Sequence, residues 1–183
     1  DSCSLTYRTP AFHLDYHRIY SEADAYHVQE RERMKGEEGL GATLERWEHD
    51  VRVADSRFQA FASAVGGLGV TQSPKPLTWL DYGAAAGAAV HTLLKKGFNA
   101  HGVEPSQWVI DQTCTQHPEL VGRLHCNFTV ADMAEPFDVI SAFDVIEHLI
   151  DPSLELLRIH QKLKKQGYLY IDQPDPNSNA AKT

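Results

Sequence analysis

The spacing of apolar residues changes along the chain, and the changes divide it. Over residues 1–40 periodicity is weak. Aromatics fall at Tyr7, Phe12, Tyr16, Tyr20 and Tyr26, and a charged run extends from Gln29 to Glu38. With Pro10, this predicts short helices joined by mobile segments. Gly36, Gly39 and Gly41 are expected to break the chain. From Ala42, the residues Leu44, Trp47, Val51, Ala54, Phe58, Phe61 and Val65 recur at spacings of three and four. That predicts a long helix with one apolar face, stopped by Gly66 and Gly67. A coiled coil has such a stripe too, but about three heptads of it more often pack onto a sheet.

After a Gly-, Ser- and Pro-rich loop over 68–76, short buried runs alternate with helical ones. Leu77, Trp79 and Leu80 predict a strand that enters a turn of glycines and alanines. Val90, Leu93 and Leu94 follow at helical spacing, up to Gly97. Asn99 to Glu104 predicts a second strand, and Ser106 an N-cap for a helix through Val109 and Ile110 that ends by Pro118. Leu124 to Val130 predicts a third strand. Phe137 to Phe143 is the clearest buried run and predicts a fourth. Asp151-Pro152 is a helix start, a capping acid followed by proline at the first helical position. Leu156, Ile159 and Leu163 give that helix its buried face. Lys162, Lys164 and Lys165 suit its C-terminal end, Gly167 closes it, and Tyr168 to Ile171 predicts a fifth strand. Such alternation implies an α/β fold with a mainly parallel sheet and right-handed crossovers.

Composition narrows the picture. With 183 residues, 42% hydrophobic and 23% charged, the chain suits one hydrophobic core. A formal net charge of −8 without a Lys/Arg run argues against a surface built to coat nucleic acid. No apolar run approaches the roughly 20 residues of a membrane span, and residues 1–30 lack the pattern of a signal peptide. Three cysteines, Cys3, Cys114 and Cys126, are odd in number and far apart, so the expected compartment is a reducing cytoplasm. The chain opens at Asp1 without methionine, which fits an excerpt of a longer polypeptide.

In parallel α/β sheets ligands bind beyond the carboxyl ends of the strands. Those ends here carry Asp81 to Gly87, Glu104, Asp132 and the segment Asp144 to His148. The turn Asp81-Tyr-Gly83-Ala-Ala-Ala-Gly87 spaces its glycines G-x-x-x-G, unlike the G-x-G-x-x-G of dinucleotide enzymes, and a nicotinamide dehydrogenase is disfavoured on that ground. Glu104 follows Gly83 by 21 residues, where an acid can accept both hydroxyls of a ribose.

Three stretches, Leu-Asp-Tyr-Gly-Ala-Ala-Ala-Gly, Gly-Val-Glu-Pro-Ser, and Phe-Asp-Val-Ile-Ser-Ala-Phe-Asp-Val-Ile-Glu-His-Leu-Ile-Asp-Pro, resemble class I S-adenosylmethionine-dependent methyltransferases. The likeness covers about residues 77–178 and is closest to the group with a Glu-His pair after strand four, which includes ubiquinone-biosynthesis and sugar methyltransferases. It implies a Rossmann-like three-layer sandwich over 68–183 and a dependent helical N-terminal extension over 1–67 that covers substrate and cofactor. It also implies S-adenosylmethionine as cofactor. Asp81, Gly83, Ala84 and Gly87 would hold its methionine part, Glu104 its ribose, and Asp132, Met133 and Phe143 would complete the cofactor set around the adenine and beyond. Ala85 departs from the family, where many members have a middle glycine. Asp144 either touches the cofactor amino group or ends the strand.

His148, beside Glu147, is the candidate base for a hydroxyl or an activated carbon, or else a brace for its loop. The expected acceptor is a small molecule methylated on O or C, with no nucleic acid and no membrane span. The alternative is a catalytically silent binding module for a nucleoside or a partner protein. Cys3 to Pro10 resembles the join after a zinc ribbon found upstream of some relatives, but one cysteine cannot supply four ligands, so no metal is expected. Tyr20 and Tyr26 pack or reach over the cofactor. Relatives finish with an antiparallel hairpin that this sequence lacks, being either a fragment or naturally short, so strand five is expected as an unpaired edge open to self-association.

Overall fold

Five parallel strands form the centre of the molecule. The computed structural model describes residues 37–65, 75–127, 129–134 and 136–173, with side chains from residue 46. The strands are β1 (Thr78–Tyr82), β2 (Asn99–Glu104), β3 (Leu124–Cys126), β4 (Phe137–Phe143) and β5 (Leu163–Asp172). They lie in the order β3-β2-β1-β4-β5, every neighbouring pair parallel. Among the described residues four α-helices accompany them: α1 (Glu37–Ala64), α2 (Ala88–Lys95), α3 (Gln107–Gln116) and α4 (Pro152–Lys162). The order reverses between β1 and β4, and a crevice opens there at the carboxyl ends.

Alternation along the strands divides the core into two. Trp79, Ala100 and Val139 face Val90 and Leu93 of α2, Ile110 of α3 and Phe61 of α1. Leu80, Val103, Ile140 and Ala142 face the other way, onto Ile159 of α4 and onto Ile146, which lies between β4 and α4. The result is the expected three-layer sandwich. The apolar stripe of α1 packs on both α2 and the sheet, with Trp47 edge-on to His91 of α2 at 5.3 Å between ring centres. Phe61 meets Trp79 edge-on at 4.8 Å and Phe58 meets Phe98 at 5.5 Å between ring centres. Each such ring contributes about 1.5–3 kcal/mol by burial, which makes α1 part of the core.

Three sequence expectations need correction. Helix α1 starts at Glu37 and runs through Gly39 and Gly41. Each glycine costs about 1 kcal/mol in a helix, a weak penalty against the packing of the turns that follow. The third strand stops at Cys126. Thr129 then caps a short 3₁₀ turn, Val130–Asp132, by accepting the Ala131 N–H at 3.2 Å. Helix α4 ends at Lys162, so Lys164, Lys165 and Gly167 belong to β5.

The reason for this last change is strand pairing. Leu163 pairs with Phe137 and Tyr168 with Val139, so extra residues bulge between them, and Gln166 turns through φ 66°. Lys164 anchors the bulge by donating to Asp138 Oδ2 at 2.8 Å. Among the described residues β5 lies at the sheet edge. The expectations for residues 1–36, for Gly66 and Gly67, for the boundary at 67/68 and for the stretch beyond Gln173 lie outside the described residues.

Candidate active site

The turn after β1 is built by backbone geometry. Gly83 N–H and Ala84 N–H both donate to the Val103 carbonyl at 2.9 Å. Gly83 has φ 79°, and a Cβ there would stand 2.3 Å from Val145 Cγ2, so the position admits only glycine. Ala85 also takes a positive φ, 45°. This is where the family resemblance expects glycine, and the left-handed backbone supplies the reason. Gly87, φ 76°, caps α2.

Two buried acids flank this turn. Glu104 accepts from Ala85 N–H at 3.0 Å and from Ser106 N–H at 2.9 Å, tying β2 to the glycine turn. Burial pushes its pKa up, and the two backbone donors pull it part of the way back. Asp81 lies at the end of a relay in which Trp79 Nε1–H donates to Ser141 Oγ at 2.9 Å and Ser141 donates to Asp81 Oδ1 at 2.6 Å. Burial raises Asp81 from 3.8 to about 6, against the opposing pull of the Ser141 hydrogen bond and the Arg57 charge.

The mouth of the crevice is closed from the side by α1. Arg57 donates through Nε to Asp172 Oδ2 at 2.7 Å and through Nη2 to Asp144 Oδ2 at 2.9 Å, with its guanidinium carbon 4.5 Å from the centre of the Phe143 ring. It thereby joins the ends of β4 and β5. Asp144, at φ 56°, also donates its N–H to the Asp172 carbonyl at 2.9 Å. It therefore both ends the strand and presents a carboxylate to the cleft. The 3₁₀ turn Ile146–His148 follows. His148 is exposed on it, while Glu147 accepts from Gln173 Nε2 at 3.0 Å.

These elements enclose a cleft of about 710 Å³. Asp81, Gly83, Ala84, Glu104, Phe143 and His148 all line it. Three other predicted positions lie away from the lining. Gly87 is buried behind the turn, against Leu120 and Leu124. Asp132 is exposed on its own turn, and Met133 sits in the core beside α4. Sequence reasoning missed Arg57, Asn127, Glu155 and Arg158, which line the cleft as well. Arg57 and Glu155 had a signal. Arg57 lies three residues after Ala54 and four before Phe61, and Glu155 lies four before Ile159, so each is a charge on an apolar helix face. Asn127 offered none.

A parallel sheet of this order, with a glycine turn after β1 and acids at the next strand ends, defines a Rossmann-like α/β domain. A family model described as "Methyltransferase domain" matches residues 47–183, and the chain belongs to that family. Two curated relatives are ubiquinone biosynthesis O-methyltransferases. One, from Bradyrhizobium diazoefficiens, is 29% identical over 54% of this chain and 40% of its own. The other, from Caulobacter vibrioides, is 32% identical over 54% of this chain and 41% of its own. The chain thus spans about two fifths of the length of the curated relatives it matches. Among solved structures, the plantazolicin methyltransferase BpumL, in complex with a pentazolic desmethylPZN analogue and SAH, matches with TM-score 0.57 at 15% identity. That match covers 91% of this chain and 64% of the other and supports the fold. No helix among the described residues is long and apolar enough to cross a membrane.

Proposed function

We propose that this chain binds S-adenosylmethionine in the cleft and transfers its methyl group to an oxygen or carbon of a small-molecule acceptor. The observation that carries the reading is the meeting of Asp81, Gly83 and Glu104 in one cleft, from the ends of two adjacent strands. The residues fit such a cofactor. Gly83, whose Cβ position is taken by Val145, brings the backbone of the turn to the wall of the cleft. The α2 N-terminus behind the turn adds free N–H groups. Asp81, a carboxylate half ionised near pH 6, suits an ammonium group. Glu104 spends one lone pair of each oxygen on backbone, leaving others for two ribose hydroxyls.

When bound, the cofactor supplies an already electrophilic sulfonium methyl. The protein's part is then to hold the acceptor in line and exclude water. Asp144 and Phe143, under Arg57, form the wall on that side. His148, exposed at the mouth, receives the acceptor's proton at an imidazole nitrogen as the methyl group moves. The net charge of −8 favours a small acceptor over nucleic acid. The free thiols of Cys114 and Cys126 favour a cytoplasmic setting. The edge position of β5 among the described residues makes it a contact for self-association, which sedimentation at several concentrations tests.

Calorimetric titration with S-adenosylhomocysteine tests the cofactor reading. Native protein should bind. Glu104→Ala should lose about 1.5–3 kcal/mol, the worth of hydrogen bonds to a charged group, or about 10- to 150-fold in affinity. Absence of binding by the native chain, or equal binding by the variant, overturns it.

A further inference from the structure

Helix α4 carries a buried acid whose partners come from outside the helix as well as from within it. Glu155 is 5% exposed. Its Oε1 accepts from Thr129 Oγ1 at 2.7 Å and from Val130 N–H at 3.1 Å, and its Oε2 accepts from Arg158 Nη1 at 2.9 Å. The Tyr82 hydroxyl, at the end of β1, also meets it. Burial and then the Glu155 charge and hydrogen bond push that phenol's pKa up. Two turns further along α4, Lys162 donates to the Met133 carbonyl at 2.5 Å. The two residues grip the 3₁₀ turn Val130–Asp132 from either side, with the fully buried Ile159 between them.

A buried carboxylate is tolerated only when its oxygens are satisfied. Here the satisfying groups come from three separate elements that meet at the cleft. Glu155 and Arg158 line the cleft, and so does Asn127, two residues before Thr129. Asn127 is held from the other side, its N–H donating to the Glu104 carbonyl at 3.3 Å. Asn127 is therefore held by the main chain of β2 and Thr129 by the Glu155 carboxylate of α4. We infer that Glu155 is a positioning residue that sets the wall of the cleft facing the cofactor's nucleoside, acting through Thr129 and Asn127 and not by touching the reacting atoms. This inference rests on the cofactor reading given above. It adds that nucleoside affinity is tuned from α4, the helix that directly follows the His148 loop.

Calorimetry separates the two ideas. S-adenosylhomocysteine and free adenosine are titrated into the native chain and three variants, at a temperature where melting curves show each to be folded. Thr129→Val removes the hydroxyl at constant shape, and Thr129→Ser keeps it. Glu155→Gln retains an acceptor for the turn but loses the charge facing Arg158. Shifts carried through a positioning contact are typically about 2- to 30-fold. Thr129→Val and Glu155→Gln should weaken both ligands by the same factor in that range, which places the loss in the nucleoside half, and Thr129→Ser should bind as native. A purely structural role would lower melting temperature and leave the affinities of folded protein unchanged, and that result overturns the inference. So does a loss of S-adenosylhomocysteine affinity without loss of adenosine affinity. A native chain that binds neither ligand removes the cofactor reading itself, and this inference with it.

Discussion

Asp81 is stabilising when protonated, and the size of the effect follows from its position. Its carboxyl is raised from 3.8 to about 6, chiefly by burial. A folded-state pKa above the unfolded one gives stability that is present at low pH and lost as pH rises through the folded value. At 1.36 kcal/mol per pH unit the full loss is about 3 kcal/mol. Asp81→Asn keeps an acceptor for the Ser141 hydroxyl, 2.6 Å away in the native protein, and never ionises. The variant should therefore gain over native protein by about 1.5 kcal/mol at pH 5 and about 3 kcal/mol at pH 8, with nearly all of the change complete by pH 7. Urea unfolding followed by circular dichroism, at half-unit steps from pH 5 to 8, measures the difference directly. The same variant should bind S-adenosylhomocysteine more weakly, having lost the charge proposed to meet its ammonium group. A stability difference that is flat with pH, or a variant less stable than native at pH 8, would refute the reasoning.

Other perturbations have equally definite outcomes. Gly83→Ala places a methyl 2.3 Å from Val145 Cγ2 at φ 79°, so it should cost about 2–4 kcal/mol by strain and overpacking and abolish ligand binding in calorimetry. Ala85→Gly relieves a left-handed alanine at φ 45°. Relief of about 1–2 kcal/mol, less about 0.4–1 of added chain entropy, predicts a small gain in urea midpoint with ligand affinity intact. His148→Gln should slow methyl transfer by about 10² to 10⁴-fold without changing S-adenosylhomocysteine affinity, as followed by mass spectrometry once an acceptor is in hand. His101 Nδ1 and His125 Nε2 lie 3.0 Å apart, and burial lowers both pKa values. Stability present above the ordinary imidazole range is therefore lost as pH falls below it, and His125→Asn should flatten that acid limb in a urea-midpoint series.

What the sequence made legible was whatever depends on neighbours in the chain. The residues Phe137–Phe143 bury both faces and read as a strand with correct bounds. Asp151-Pro152 announces its helix, and the Leu154 N–H duly donates to Asp151 Oδ1 at 2.9 Å. Ser106 caps α3 as its position suggested. What stayed hidden depends on partners far along the chain. No local pattern distinguishes Lys164 at a helix end from Lys164 in a strand, because its reason for being extended is Asp138 on β4. Arg57 likewise had only an anomaly, a cation among apolar neighbours, until folding brought Asp144 and Asp172 to it. The ends of the strands could be read as site positions, whereas the particular residues that α1 and α4 bring to the side wall could not.

That side wall has a consequence for the order in which the molecule is assembled. Arg57 and Asp172 are 115 positions apart in the chain, and β1 finds β4 across about 60. Contacts of such long range form late, after the loop entropy they close has been overcome. A chain emerging from the ribosome can complete α2, β2 and the glycine turn early. Its cleft acquires a mouth only when Asp172 has been synthesised and β5 has docked. The wall beside Phe143 and Asp144 should then form abruptly with chain length, and a nascent-chain series cut on either side of residue 172 would register that moment as the joining of α1 to the strand ends.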